Sequence, residues 1–200
     1  MAVKIGVVTD IHNGPDMDTR IGSQAMPMLD RFVTAMRRFR PDVIIDLGDR
    51  INDVSVEDDR ARIQAVRDRL VSVGAPVLFL YGNHDLINVK PEEQRRILGK
   101  KGDYESLDCK GFHLILLNSQ DPTIDGVGVT ISDAQLAWLQ EDLQFSRGPI
   151  LVFCHHPLNE QASSGHWYFG DHQAYALAGN RERARALLAR AGRVRALFHG

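Results

Sequence analysis

The sequence is poor in cysteine, with only Cys109 and Cys154 in 200 residues. Two cysteines are too few for a disulfide-stapled scaffold, and Cys154 closes an apolar run, where a reduced, buried thiol is expected. An excess of either charge is also missing: 24 Lys and Arg stand against 26 Asp and Glu, for a formal net charge of -2. Such a balance lacks the electrostatic footprint of a nucleic-acid binder or of a protein drawn to an anionic membrane, so neither partner is expected. No run approaches the roughly 18 apolar residues of a membrane-crossing helix. Residues 1–10 lack a long apolar stretch behind a basic start and read as a first strand, not a secretion signal, which makes the cytoplasm the expected location. Internal repeats, low-complexity tracts and linkers are absent, which predicts a single domain over residues 1–200, within the usual size of about 100–200 residues.

What is present is an ordinary globular composition, 44% hydrophobic and 25% charged, arranged in alternating patterns. Short β-branched runs occur at Val3–Val8, Val43–Leu47, Val77–Leu80, Phe112–Leu117, Ile150–Phe153 and Arg195–Phe198. Runs this short and this apolar suit strands buried on both faces. Between them lie helical patterns at Met28–Phe39, Val56–Val73, Ser132–Phe145 and Arg181–Ala191. The third opens on a candidate N-cap serine and places Leu136, Leu139 and Leu143 on one stripe. This alternation predicts an α/β fold. Tyr104–Leu107 and Phe112–Leu117, around Lys110-Gly111, read as a hairpin, which makes the sheet mixed.

The residues after the strands carry the chemistry. Asp10-Ile11-His12, Gly48-Asp49-Arg50, Gly82-Asn83-His84-Asp85, Cys154-His155-His156-Pro157 and His199-Gly200 each follow one apolar run. In open α/β sheets, ligands bind beyond the carboxyl ends of strands. Carboxylate, imidazole and amide oxygen together suit divalent Mn, Fe, Zn or Co. Two such ions about 3.5–4 Å apart can clamp an in-line displacement at phosphorus. Each motif has an ordinary alternative: Asp-x-His can be an Asx-type turn, Gly-Asp a plain turn, and His-His-Pro a structural histidine beside a proline turn. Gly-Asn-His-Asp has no packing rationale, and the ordered conjunction is far more specific than any one piece.

On these motifs the chain resembles the calcineurin-like metallophosphoesterase family, and the resemblance covers essentially its whole length. It implies a four-layer αββα sandwich of two mixed sheets flanked by helices. It also implies a dinuclear centre: Asp10 and His12 on one ion, Asn83 and His155 on the other, and Asp49 bridging them. His84 would be catalytic as a general acid, with Asp85 orienting it, and a metal-bound hydroxide would attack phosphorus. His156 and Arg50 are candidate substrate-binding residues. The family's last motif, Gly-His-x-His, is matched here only at Gly200, so the domain is expected to continue beyond this chain. Within the family the compact pattern is similar to the branch of cyclic-nucleotide phosphodiesterases and ADP-ribose pyrophosphatase-like enzymes. The implied function is hydrolysis of a small-molecule phosphomonoester or phosphodiester, of nucleotide type. The alternative is a scaffold that keeps the fold without catalysis; the intact Gly-Asn-His-Asp argues against it. Two further features have an open reading. The long segment Leu158–Asn180, rich in aromatics and histidine, is a candidate cover for the site or a solvated excursion. The arginines of Arg181–Arg195 read as a solvated helix face.

Overall fold

Three strands, β1 (Ile5–Val8), β2 (Val43–Asp46) and β3 (Val77–Phe79), pair in that order, both times in parallel. The computed structural model describes residues 2–124, 128–160, 165–166, 169–170 and 172–200. The segment Leu158–Asn180 therefore lies partly outside the described residues, Trp167 and Tyr168 included. The chain divides into two compact units, Met1–Asp103 and Tyr104–Gly200.

In the first unit, helix α1 (Ala25–Phe39) connects β1 to β2 and α2 (Val56–Val71) connects β2 to β3, while α3 (Pro91–Leu98) follows. Every residue of β2 is buried, Asp46 included, where it pairs with Arg50. Leu29 of α1, Ile63, Val66 and Leu70 of α2 and Leu98 of α3 close over Ile44 and Phe79 in one cluster. Fully burying side chains of this kind stabilises by roughly 1.5–3 kcal/mol each. Helix α2 starts where Ser55 accepts a hydrogen bond from Asp58 N at 3.2 Å, an N-cap by side-chain oxygen.

The second unit carries β4 (Glu105–Cys109), β5 (Phe112–Leu117), the short strands β6 (Gln120–Asp121), β7 (Thr123–Ile124) and β8 (Gly128–Ile131), helix α4 (Asp133–Phe145), β9 (Ile150–Cys154), α5 (Gln173–Ala176), α6 (Arg181–Ala191) and β10 (Val194–Phe198). Its main sheet runs β10-β9-β5-β4, parallel except for the β4–β5 hairpin. Lys110 and Gly111 close that hairpin with φ of 51° and 83°, the two consecutive positive values that a two-residue primed turn requires. Leu136, Leu139 and Leu143, the stripe read from sequence, pack with Ala184 and Leu188 of α6 against Ile115, Ile150 and Val152. The predicted cap of α4 is also found, with Ser132 accepting from Gln135 N at 3.1 Å. The fold is thus α/β with sheets flanked by helices. The antiparallel pairing of the main sheets belongs to the second unit; the three described strands of the first are wholly parallel.

Candidate metal centre

The loop that leaves β1 stays hydrogen-bonded to the loop that leaves β2. Asp10 N donates to Gly48 O, His12 N to Asp49 O and Asn13 N to Arg50 O, at 2.9–3.0 Å. Within this paired segment Asp10, His12 and Asp49 all have positive φ, at 51°, 50° and 55°. Non-glycine residues in this region cost of order 1–3 kcal/mol each and persist where surrounding structure over-determines them. The strain turns three side chains toward one point: ligand atoms of Asp10, His12 and Asp49 lie within 4.8 Å of one another. His12 Nε2 is 3.6 Å from Asp10 Oδ1 and 3.8 Å from Asp49 Oδ2. Burial works to lower the proton affinity of His12, but the two carboxylates outweigh it, and the imidazole is raised above its ordinary value.

Asp49 is set from behind. Its Oδ1 accepts from His84 N at 2.9 Å, which leaves Oδ2 toward His12. The loop holding His84 can come this close only because Gly82 has no side chain: a Cβ there would sit 2.1 Å from Asp49 Oδ1 and 2.4 Å from Asp49 N. Gly48 is under the same constraint, with φ of 113° and a Cβ that would lie 2.3 Å from Gly82 N. The two glycines read from the motifs thus let one backbone rest on the other.

Two expectations change here. Arg50, proposed from sequence as a phosphate contact, is completely buried. Its Nη1 donates to Asp46 Oδ2 at 3.0 Å and to Leu80 O at 2.7 Å, and Nη2 lies 3.2 Å from Asp85 Oδ2. A guanidinium enclosed by two carboxylates and a carbonyl has no face left for substrate; it neutralises buried charge. Asp85, expected to orient the His84 ring, does something else. Its carboxylate accepts from Asp49 N, Gly82 N and Arg50 N at 2.8, 2.8 and 3.0 Å. It is the clamp that holds the Gly48-Asp49-Arg50 turn against the Gly82 turn.

The carboxylate at His84 is Asp53, in contact with its Nδ1. A carboxylate only accepts, so Nδ1 carries the hydrogen and Nε2 is left as acceptor. Arg20 Nη1 donates to that Nε2 at 2.9 Å. The His84 ring stands edge-on to His12, with centroids 5.2 Å apart. Neither Asp53 nor Arg20 was singled out from sequence: no motif contains them, and both arrive through loops that lack periodicity.

In the second unit, His155 and His156 follow β9 as predicted, both buried, with rings edge to face at 4.7 Å. Gln120 Nε2 donates to His156 Nδ1 at 3.2 Å, and Ser119 Oγ lies 2.8 Å from the same atom. His156 N donates to Ser119 Oγ at 3.2 Å, so this histidine is tied to the loop after β5. Gly200 N donates to His155 O at 2.9 Å. Burial pushes the neighbouring Cys154 thiol up to about 12, the inert thiol the apolar run implies.

The donor set of the first unit fits a divalent ion. Two carboxylates and one imidazole converge, oxygen and nitrogen ligands of the kind hard or borderline metals take. His12 Nδ1 is buried without a hydrogen-bond partner among the described residues. Comparison with known proteins agrees. A family model described as calcineurin-like phosphoesterase matches residues 3–200. A probable cyclic nucleotide phosphodiesterase of Synechococcus sp. is 27% identical over 161 residues, which make up 78% of this chain and 59% of that protein. One from Fibrobacter succinogenes is 28% identical over 160 residues, 78% of this chain and 57% of that one. The chain therefore spans less than two thirds of the length of these relatives. A dimetal phosphatase from Danio rerio has the same fold, with a TM-score of 0.81 at 16% identity, covering 99% of this chain and 81% of that chain. A match running from residue 3 to residue 200 shows that the chain belongs to the calcineurin-like phosphoesterase family.

Proposed function

We propose that this chain is the metal-binding core of a phosphoesterase that hydrolyses a nucleotide-type phosphodiester or phosphomonoester. The observation that carries the reading is the convergence of Asp10, His12 and Asp49, with the His84 ring beside them. In this reading Asp10, His12 and Asp49 hold one divalent ion. By their match to the family's motifs alone, Asn83 and His155 would hold a second, with Asp49 offered to both. Mn, Fe, Zn or Co would suit these donors. Bound ions would supply Lewis-acid polarisation of the phosphoryl group and lower the pKa of water.

The chain's own residues do the rest. Asp49 keeps Oδ2 toward the ligand cluster because Oδ1 is occupied by His84 N. Asp53 holds the His84 ring by Nδ1, so Nε2 is the nitrogen that takes up a proton from water and passes it to the departing oxygen. Asp85 and Arg50 act at one remove, by fixing the turns that carry Asp49 and His84. His156, with Nδ1 committed to the loop after β5, supports the His155 segment from behind. The named relatives favour a cyclic nucleotide or another phosphodiester among substrates of this class.

The test is a panel of phosphomonoesters and phosphodiesters, cyclic nucleotides included, with added Mn²⁺. It is run on the 200-residue chain and on the whole protein, since the relatives are longer. Metal-dependent hydrolysis by the whole protein is expected. Metal binding without turnover on any substrate would favour a scaffold that has kept the fold.

A further inference from the structure

The fold holds two arginines near the candidate centre, and their surroundings are opposite. Arg50 is neutralised on all sides. Arg20 is not: its side chain is about one-fifth exposed, its Nη1 lies 2.9 Å from Nε2 and 3.3 Å from Nδ1 of His84, and the carboxylate paired with it, Asp18, is 3.5 Å away and largely in solvent. Exposed pairs of that kind contribute little. A guanidinium beside a cluster meant for a cation opposes that cation. Such a charge is productive only when an anion arrives with the metal.

The loop that presents Arg20 is built rather than loose. Met17 and Arg20 exchange both backbone hydrogen bonds, at 3.0 and 2.8 Å, closing a turn in which Asp18 takes a positive φ of 49°. Asn52 Nδ2 donates to Pro15 O at 2.8 Å, and Asp16 accepts from Ser23 N at 2.8 Å. The loop is thereby fastened to the segment after β2 at one end and to the approach to α1 at the other. Ordering of this kind reduces what must be fixed when a ligand binds.

We propose that Arg20 is a substrate-binding residue that takes the phosphoryl oxygens of the phosphoester, moving its Nη1 hydrogen bond from His84 Nε2 to the anion. The exchange has two effects. Two parallel N–H donors match two phosphoryl oxygens in the geometry that guanidinium groups favour. It also uncovers His84 Nε2 only once the anion is present, so recognition of the phosphate and release of the imidazole are one event. This inference rests on the function proposed above and names the side chain that reads the phosphate there.

The experiment compares the Mn²⁺-loaded protein with Arg20→Met and Arg20→Lys. It measures kcat and KM on bis(p-nitrophenyl) phosphate, inorganic phosphate affinity by calorimetry, and bound manganese by elemental analysis. Arg20→Met is expected to weaken phosphate binding and raise KM by about 10- to 100-fold, the range of a lost hydrogen bond to a charged group, with manganese content unchanged. Arg20→Lys keeps the charge but not the fork and is expected to fall between. A fall in kcat with KM and phosphate affinity intact would overturn the proposal, because it would assign Arg20 to the imidazole alone. Unchanged parameters, or a wild-type protein that binds no phosphate, would overturn it as well. If the wild type binds phosphate yet hydrolyses nothing, the functional reading fails, and the phosphate titration of the variants still decides the role of Arg20.

Discussion

Both units place candidate ligand side chains just after their strands, Asp10, His12 and Asp49 in the first and His155 and His156 in the second, yet they hold the strand-end turns by different means. In the first unit the means is buried charge: Arg50 lies among Asp46, Asp85 and Leu80 O, and Asp85 gathers three backbone N–H groups. In the second it is a chain of amide and hydroxyl hydrogen bonds, with the carboxylate of Asp121 at its edge. Gln135 donates to Asn118 O at 2.9 Å and accepts from Asn118 N at 2.8 Å, Asn118 accepts from Gln120 N, and Ser119 and Gln120 meet His156. The electrostatics of the ligands account for the contrast. A turn that presents Asp49 among other carboxylates needs a buried cation close by. A turn that presents imidazoles needs only hydrogen bonds that fix the ring. Charge gives the first unit more to lose when one partner is removed.

The largest effect is expected at the ligand itself. Asp49→Ala removes the carboxylate shared between the proposed ions, and no other residue proposed here takes ligands' roles toward both. Elemental analysis is expected to show loss of bound metal, and activity is expected to disappear with it. Two ions per chain retained in the variant would refute the assignment.

Next comes Arg50→Met, the sharpest probe of the charged design. It leaves Asp46 and Asp85 buried without their cation, and breaking one side of a buried pair costs about 3–5 kcal/mol. Urea unfolding followed by circular dichroism measures this. Arg50→Lys is expected to recover part of the loss, because one ammonium cannot span Asp46, Asp85 and Leu80 O together. If Arg50→Met loses less than 1 kcal/mol, the network does not hold the turns.

Asp53→Asn separates orientation from metal binding. The ring keeps a hydrogen-bond acceptor but loses the charge beside Nδ1. Changing groups that orient catalytic or metal-bound imidazoles typically costs about 10- to 100-fold, and the loss is expected in kcat with metal content unchanged. Asp85→Asn, by contrast, is expected to lower stability, because three backbone donors lose a charged acceptor. Equal turnover in wild type and Asp53→Asn would return the orienting role to another group.

How much of this was legible follows from where each signal lies in the chain. β5 was read with its exact limits, and the hairpin and the α4 cap were read because turn and cap chemistry is local. Asp10, His12 and Asp49, which the fold brings together, were legible because each lies in the short turn that follows an apolar run. Helix α3 was not read: it is short and largely charged, though Pro91 stands at its start. The two-residue strands β6 and β7 are too brief for any period. Arg50 and Asp85 were legible as chemistry but not as roles. Burial depends on what the rest of the fold lays over them, and a motif does not encode that. Asp53 lies four residues past Asp49, on a stretch without pattern, and only the folded loop brings it to His84.

The smallest expected effect tests the neutral half. Gln135 is buried, and its amide closes both backbone groups of Asn118 while also donating to Asp121 Oδ2 at 2.9 Å. Gln135→Leu has nearly the same volume, so little cavity opens. What it removes is hydrogen bonding, stranding Asn118 N–H and C=O in the interior. Leaving buried polar groups unsatisfied costs about 1–3 kcal/mol, less than the uncompensated charges of Arg50→Met. Because Asn118 accepts from Gln120 N, and Gln120 donates to His156, the damage is expected to spread along the neutral chain. Amide hydrogen exchange should then rise at Asn118, Gln120 and His156 while the exchange of Asp49 and Arg50 stays as in the wild type. A stability loss in Gln135→Leu equal to or greater than that of Arg50→Met would reverse the ranking of the two units. The distinction between charged and neutral support would then not govern how firmly each set of turns is held.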